Sequence, residues 1–212
     1  MRMPGSDGEH LLQKKIGTTR RASGFYNRQM LDFLNPAMCE FISRQEMVFI
    51  ATSDSKGECD CSFRSGLPGF AQVLNEKTLI FPEYRGNGVY SSLGNILENP
   101  HIGMVFIDFT GDSIGLHVNG KARVIEIEQI LMEDHWAELL KNTTPGLKGL
   151  MPERWVSVDV DEAYIHCSKH IPSFKNLNKK IHWGTDDAKH KGGDYFKSKD
   201  CDRPWNENKT SH

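Results

Sequence analysis

The sequence predicts a mainly β protein, an antiparallel barrel or sandwich, from three observations. Beyond residue 46, about seven short segments rich in strand-forming side chains follow one another, separated by tight turns. Few stretches show the apolar spacing of a helix. Hydrophobic residues make up 38% of the 212 residues, enough for one core in a chain of this size.

The N-terminal part, residues 1–45, is predicted to be an arm followed by helices. Residues 1–19 are polar, and we expect a loose arm there. From Gly24 to Leu34 apolar residues recur at near-helical spacing. Asn35-Pro36 then supplies an N-cap and a first helical residue, so a second helix is expected over 36–44.

The middle of the chain, residues 46–170, is predicted to form the barrel domain. Residues 47–52 are apolar on both faces, as in a buried strand, and Asp54-Ser55-Lys56-Gly57 follows as a turn. Further strands are expected over 58–64, 70–74, 78–82, 102–109, 114–125 and 155–167, and helices over 89–97 and 128–141.

Residues 171–212 form a polar C-terminal extension rich in Lys, Asp, Asn and Gly, which is typical of a solvated segment. Trp183, Tyr195, Phe196 and Trp205 are unusual in such a composition. We expect these aromatic rings to pack either on the barrel or on a partner subunit.

Charge and composition exclude several classes of function. A net charge of −2 gives no general electrostatic reason to bind nucleic acid. No apolar run approaches the ~20 residues that span a bilayer, and the first residues lack a signal-peptide pattern, so we expect a cytoplasmic protein without membrane contact. Five cysteines indicate reduced thiols. A zinc site that includes Cys59 and Cys61 is the less favoured alternative.

The segment FPEYRGNGVYSSLGNILENP, residues 81–100, carries a strand through a Gly-Asn-Gly loop into a helix. A helix N-terminus exposes unpaired N–H groups that bind phosphate, and glycines allow the ligand to approach the backbone. The end of the strand over 58–64 can meet this loop, which would bring the Arg64 guanidinium opposite it. The alternatives are a tight connection that needs glycine, and a surface arginine paired with a local carboxylate.

A second group of chemically able residues is His166-Cys167-Ser168-Lys169-His170. On a strand, His166 and His170 share a face with Ser168; on a helix, the two histidines would align at i and i+4. No H-E-x-x-H motif accompanies them, so no metal is predicted. His166 could donate a hydrogen bond or a proton to a bound ligand, and Lys169 could bind phosphate. A structural role for both, and for His117, is the alternative.

Several motifs resemble the pyridoxamine 5′-phosphate oxidase-related flavoproteins. These are F-R-S-G at the end of the second strand, P-G-F after it, R-G-N followed by L-G-N-I-L-E-N-P, and V-N-G-K-A. The similarity runs from about residue 47 to 126 and resumes over 162–172 in E-A-Y-I-H-C-S-K-H-I-P. It is closest to an uncharacterised bacterial branch of that family.

The resemblance implies a six-stranded FMN-binding split barrel with flanking helices, and a homodimer with FMN between the subunits. It implies phosphate and ribityl contacts at two strand ends and the helix turn, and makes His166 and Lys169 candidates at the cofactor edge. The implied cofactor-binding residues are Ser62, Phe63, Arg64, Ser65, Phe81, Pro82, Gly86, Asn87, Gly88, Ser91, Ser92 and Lys169.

The predicted function is that of an FMN-dependent oxidoreductase, with a small-molecule substrate or a reduced nicotinamide as electron donor. The chain lacks the Arg-Lys pair of the oxidase phosphate loop and its R-L-H-D-R motif, so pyridoxamine phosphate oxidation itself is not predicted. The alternative is a non-catalytic split-barrel module that binds flavin, deazaflavin or haem.

Overall fold

The protein folds as a split β-barrel with flanking helices in the computed structural model, which describes residues 3–126, 152–177, 181–182, 185, 187, 190–191, 193–203 and 205. The helices in these ranges are α1 (Asp7–Ile16), α2 (Thr19–Gln29), α3 (Pro36–Ser43) and α4 (Ser91–Glu98). The strands are β1 (Met30–Leu31), β2 (Met47–Ser53), β3 (Cys59–Ser65), β4 (Gln72–Asn75), β5 (Thr78–Glu83), β6 (His101–Ile107), β7 (Gly115–Glu126) and β8 (Arg154–His166). The helix predicted over 128–141 lies outside the described residues.

All eight strands of the described residues belong to one antiparallel sheet in the order β3-β2-β6-β7-β8-β5-β4, with β1 added to β8. The mainly β, antiparallel prediction is therefore confirmed. The seven strands expected from the sequence correspond to β2–β8, including the short β4, and β1 is an additional strand that was not expected. Strand β8 is thirteen residues long. One of its edges pairs with β7 along nearly the whole length of β8, and the other edge pairs with β5 in the first half of the strand and with β1 in the second half.

A break in register bends the long β7–β8 ladder at Asn119 and Gly120. Gly120 is needed here because a Cβ at this position would lie 2.0 Å from the carbonyl oxygen of Asp159. Such a bulge increases the local twist of a strand. It therefore contributes to the curvature that lets one sheet close as a barrel.

The N-terminal arm is helical, and the prediction of a loose segment was wrong. Ser6 and Glu9 form a capping box at the start of α1, and Gly17 ends the helix with a φ of 78°. Side-chain caps of this kind are local signals that the sequence contains. The tyrosine of α2, Tyr26, holds the helix pair together through hydrogen bonds with Gln13 and Glu9.

The predicted helix over 24–34 begins earlier and ends earlier than expected. It is α2, after which Met30 and Leu31 pair with Tyr164 and Ala163 of β8. Pairing with an available strand edge outweighed the helical spacing of these apolar residues. The second helix is confirmed as α3, where the Asn35 side chain accepts a 2.9 Å hydrogen bond from the Met38 N–H.

The C-terminal extension contacts the barrel through Phe174. Its ring stacks on Phe109 with centroids 4.9 Å apart, and its N–H donates to the Phe109 carbonyl. Tyr195, Phe196 and Trp205 are 79–88% exposed, so they do not pack on the barrel of their own chain, and packing on a partner subunit stays a prediction. Trp183 lies outside the described residues.

None of the described helices has the length and apolar character that a membrane-spanning segment requires.

Candidate functional site

The loop between β5 and α4 leaves the start of the helix open. Tyr90, the residue before α4, has a φ of 55° and no side-chain capping bond. Gly88 has a φ of 80°, a conformation that favours glycine. A Cβ built on Gly86 or Gly88 would meet no atom within 4 Å, so the space beside this backbone is open. The first N–H groups of α4 therefore have no side-chain partner from the cap residue.

The two serines of the first helical turn differ. Ser91 is exposed, whereas Ser92 is 3% exposed and donates a 3.0 Å hydrogen bond to Asp60 of β3. Further along α4, Asn95 donates to the Thr52 hydroxyl of β2. These bonds anchor the helix on the sheet. Ser91 can therefore contact a ligand, whereas the Ser92 hydroxyl already forms its hydrogen bond with Asp60.

Arg64 meets the end of β5, as the sequence predicted, but it meets a carboxylate there. Its Nε donates to Oε1 of Glu83 at 2.6 Å, and its Nη1 donates to the Ser62 hydroxyl at 2.7 Å. The Arg64 and Glu83 side chains are only 18% and 11% exposed. The alternative of a carboxylate partner therefore holds in this structure, but the expected surface position does not, because the ion pair is largely buried.

Burial raises the pKa of Glu83, and the charge and hydrogen bond of Arg64 act in the opposite direction. The cause is the low polarity around the carboxylate, which penalises its charged form. Tyr84, the next residue, also has a raised pKa because it is half buried. The start of the loop is thus a weakly hydrated place in which a single arginine neutralises the carboxylate.

Sequence reasoning missed Glu83. The only local signal was an acidic residue at the end of an apolar strand, directly before the loop, in Phe81-Pro82-Glu83. The partner of Arg64 could not be read from spacing, because β3 and β5 are not neighbours in the sheet and meet only where the barrel closes.

The remaining predicted residues of the two strand ends are distributed over both sides of the sheet. Ser65 pairs with Met47 at the end of the β2–β3 ladder. The Phe63 side chain is 49% exposed and lies 5.4 Å from the ring of Phe49. Phe81 and Pro82 are both buried, Phe81 in the main hydrophobic core, so neither side chain is exposed to a ligand at the loop.

A second polar cluster lies on the outer face of β7 and β8. The His117 Nε2 and the His166 Nδ1 are 2.8 Å apart, so one ring donates and the other accepts. His117 also stacks on Tyr164 at 4.7 Å. Burial, with a smaller contribution from His166, lowers the pKa of His117. This pairing was missed, because it follows from the β7–β8 register.

The residues from 166 to 170 do not share one strand or helix face. His166 ends β8, and Ser168, Lys169 and His170 form a single 3₁₀ turn. Both predicted alignments of His166 with His170 were therefore wrong, because the strand ends before the motif does. Lys169 and Cys167 are exposed.

The two clusters stand apart within one chain. Strands β2, β6 and β7 lie between β3, which carries Arg64, and the part of β8 that carries His166. On the other side of the barrel, Glu83 pairs with Arg154, at the opposite end of β8 from His166. The sequence-predicted site is therefore divided in the structure: Arg64 contacts Glu83 at the end of β5, directly before the loop, and His166 and Lys169 lie elsewhere.

None of the cysteines lies in the loop, and the cleft described below is formed by other residues. All five cysteines are free thiols. Among the described residues, no group of three His, Cys, Asp or Glu side chains is placed to hold a metal. A cleft of about 570 Å³ lies between α3 and the adjoining ends of β7 and β8, with Met38, Phe41 and Ile165 in its wall.

A family model described as pyridoxamine 5′-phosphate oxidase matches residues 34–167, which is most of the barrel and more than half of the chain. The chain belongs to this family. The family match includes both strand ends, the Gly-Asn-Gly loop and the histidine pair. The resemblance drawn from the motifs is therefore confirmed at the level of family and fold.

Solved structures resemble the chain weakly. The HupZ protein of Group A Streptococcus is 20% identical, with a TM-score of 0.48, over 66% of this chain and 98% of that one. The haem storage protein HutZ of Vibrio cholerae is 15% identical, with a TM-score of 0.40, over 62% and 94%. No curated protein sequence matches the chain.

Proposed function

We propose that this protein is an FMN-dependent oxidoreductase of the pyridoxamine 5′-phosphate oxidase family. One observation carries the proposal: the open start of α4, with exposed backbone at Gly86 and Gly88, lies next to the β5 end that Arg64 contacts. Unpaired N–H groups, the helix dipole and a guanidinium are the groups that proteins use to bind phosphate.

The residues present fit a phosphate with one reservation. The backbone of residues 86–88 and the exposed Ser91 would face it, and Arg64 with Ser62 would bind it from β3. The reservation is Glu83, whose carboxylate already holds the Arg64 Nε. A phosphate must therefore displace or neutralise this carboxylate.

When bound, the flavin would supply electron transfer between a reduced nicotinamide or other small-molecule donor and an acceptor. The chain itself would provide the phosphate contacts, exclude water from the ring and place hydrogen-bond donors beside it. Phe63, half exposed next to Arg64 on β3, offers an aromatic surface for the ring.

We further propose that the active form is a homodimer in which His166 and Lys169 reach the cofactor of the partner subunit. Two features support this arrangement. These residues lie far from the loop of their own chain. The outer face of the sheet presents Phe49 and Phe63, 37% and 49% exposed, beside the half-buried His117 and Tyr164. Exposed apolar surface of this kind is typical of protein interfaces.

A second candidate function is haem binding without redox turnover. The observation that favours it is the His117–His166 pair on the outer face, since histidine is an axial haem ligand. A deazaflavin in place of FMN would use the same phosphate contacts as FMN.

The purified protein should be yellow, with the absorption of oxidised flavin, and should release FMN on denaturation. Titration of the stripped protein should give an FMN affinity at least tenfold higher than the riboflavin affinity, because only FMN carries the phosphate. A colourless protein that takes up no FMN would contradict the proposal, and an intense haem band would favour the second candidate. Flavin reduction by a nicotinamide under turnover separates an enzyme from a binding module.

The dimer has its own test. Phe49→Asp introduces a charge into the proposed interface and should convert a dimer into monomers in sedimentation analysis. Leu97→Asp is the matched control, because Leu97 is 78% exposed on α4, away from this face. A wild-type monomer, or equal behaviour of the two variants, would contradict the proposal.

A further inference from the structure

The largely buried ion pair between Arg64 and Glu83 sets a condition on ligand binding. Arg64 gives its Nε to Glu83 and its Nη1 to Ser62 and to the Phe63 carbonyl. Its Nη2 makes no hydrogen bond to any described residue. A phosphate can thus reach one free edge of the guanidinium, but only with the Glu83 carboxylate beside it.

The groups around Glu83 provide little positive charge to compensate a second negative charge. From β8, Arg154 is opposite Glu83 in register, but its side chain pairs with Glu126 and lies over the ring of Tyr90. From β3, Asp60 adds another carboxylate near the start of α4. The charged and titratable groups on the adjoining elements are Arg64 and Asp60 on β3, Tyr84, Arg85 and Tyr90 after β5, Glu126 at the end of β7, and Glu153 and Arg154 at the start of β8; of these, Arg64 contacts the Glu83 carboxylate.

Two anions cannot share one arginine in a weakly hydrated site without strong repulsion. Among the described residues, no basic side chain other than Arg64 forms a hydrogen bond or an ion pair with the Glu83 carboxylate. It is 9% exposed and so cannot turn freely into water. Protonation is the remaining way to relieve the repulsion, and the burial that already raises the pKa of Glu83 makes protonation easier.

We propose that Glu83 takes up one proton from solvent when the FMN phosphate binds to Arg64. The inference rests on the proposed function and specifies how its phosphate site works. The carboxylate becomes a neutral carboxylic acid, the guanidinium passes from the carboxylate to the phosphate, and no other bond forms or breaks. Proton uptake by Glu83 therefore makes FMN affinity depend on pH. It also distinguishes FMN from riboflavin, which carries no phosphate charge.

Between pH 7.0 and 8.5 the FMN phosphate is a dianion, so its own titration adds little in this range. Titration calorimetry in buffers of different ionisation enthalpy counts the protons taken up. We expect the wild type to take up close to one proton per FMN and to lose up to tenfold in affinity for each unit of rising pH. Riboflavin should bind without proton uptake.

Glu83→Gln removes the titrating group and should bind FMN without proton uptake, at least tenfold more tightly than the wild type at pH 8.5. Glu153→Gln is the matched control, because Glu153 donates its N–H to the Glu83 carbonyl and is a neighbouring carboxylate. It should retain the uptake of the wild type.

The outcomes separate this inference from the proposed function. FMN binding without proton uptake in the wild type, or equal loss of uptake in both variants, overturns the role of Glu83 and leaves the flavin assignment intact. A wild type that binds no FMN overturns both. If Glu83→Gln does not fold, the proton count of the wild type decides alone.

Discussion

The two ends of β8 border two different kinds of polar site. At its start, Arg154 pairs in register with Glu83, which belongs to a largely buried ion pair with Arg64. At its end, His166 shares one hydrogen bond with His117, so at least one nitrogen of the pair carries no proton. The first site depends on charge balance, and the second on a shared proton. One strand can border both sites because its register determines which residues each of its ends contacts.

The largest loss of stability is expected when one charge of the Arg64–Glu83 pair is removed. Arg64→Ala leaves Glu83 buried without its partner, and removing one member of a buried pair costs about 3–5 kcal/mol. Urea unfolding at pH 7 measures the loss. The double variant Arg64→Met, Glu83→Leu removes both charges and should recover most of the stability, yet it should not bind FMN. Equal stability of the single variant and the wild type would contradict a buried pair.

The geometry that holds the two ends of β8 in place should be nearly as sensitive. Gly120→Ala puts a Cβ 2.0 Å from the Asp159 carbonyl oxygen, so the bulge must open, at a cost of about 3 kcal/mol. Gly103→Ala on β6 is the control, because its nearest atom would be 3.5 Å away. Thermal unfolding of both variants compares them. Similar melting temperatures would show that the bulge is not needed.

The loop glycines separate backbone conformation from ligand access. Gly88→Ala should cost about 1–2 kcal/mol, because φ is 80° there. Gly86→Ala should leave stability within about 0.5 kcal/mol of the wild type, since its Cβ would enter open space. If phosphate approaches this backbone, Gly86→Ala should nevertheless weaken FMN binding at least tenfold in a fluorescence titration. Unchanged FMN affinity would place the phosphate elsewhere.

The smallest effect is expected at the histidine end. The pKa of His117 lies below its usual 6.5, so the unfolded chain takes up this proton first as the pH falls. The wild type should therefore lose stability from about pH 6.5 down to the lowered pKa, by less than about 1 kcal/mol because the ring is half exposed. His117→Gln should lack this component in urea unfolding from pH 7.5 to 5. Parallel pH profiles would contradict the assignment.

Local sequence signals predicted much of the fold. The turn over 54–57, the Asn35-Pro36 helix start and the alternating strands depend on backbone preferences and side-chain periodicity within a few residues. The capping box of Ser6 and Glu9 was equally local, and closer attention to it would have found α1. Met30 and Leu31 escaped prediction because their strand exists only through pairing with β8.

The sequence by itself determined the family, the antiparallel sheet and a glycine-rich loop before a helix, since each depends on neighbouring residues or on collinear motifs. Only the tertiary structure decided that Arg64 pairs with Glu83 and that His117 pairs with His166. The physical reason is distance along the chain. These partners meet through barrel closure and strand register, which bring together residues that no local pattern connects.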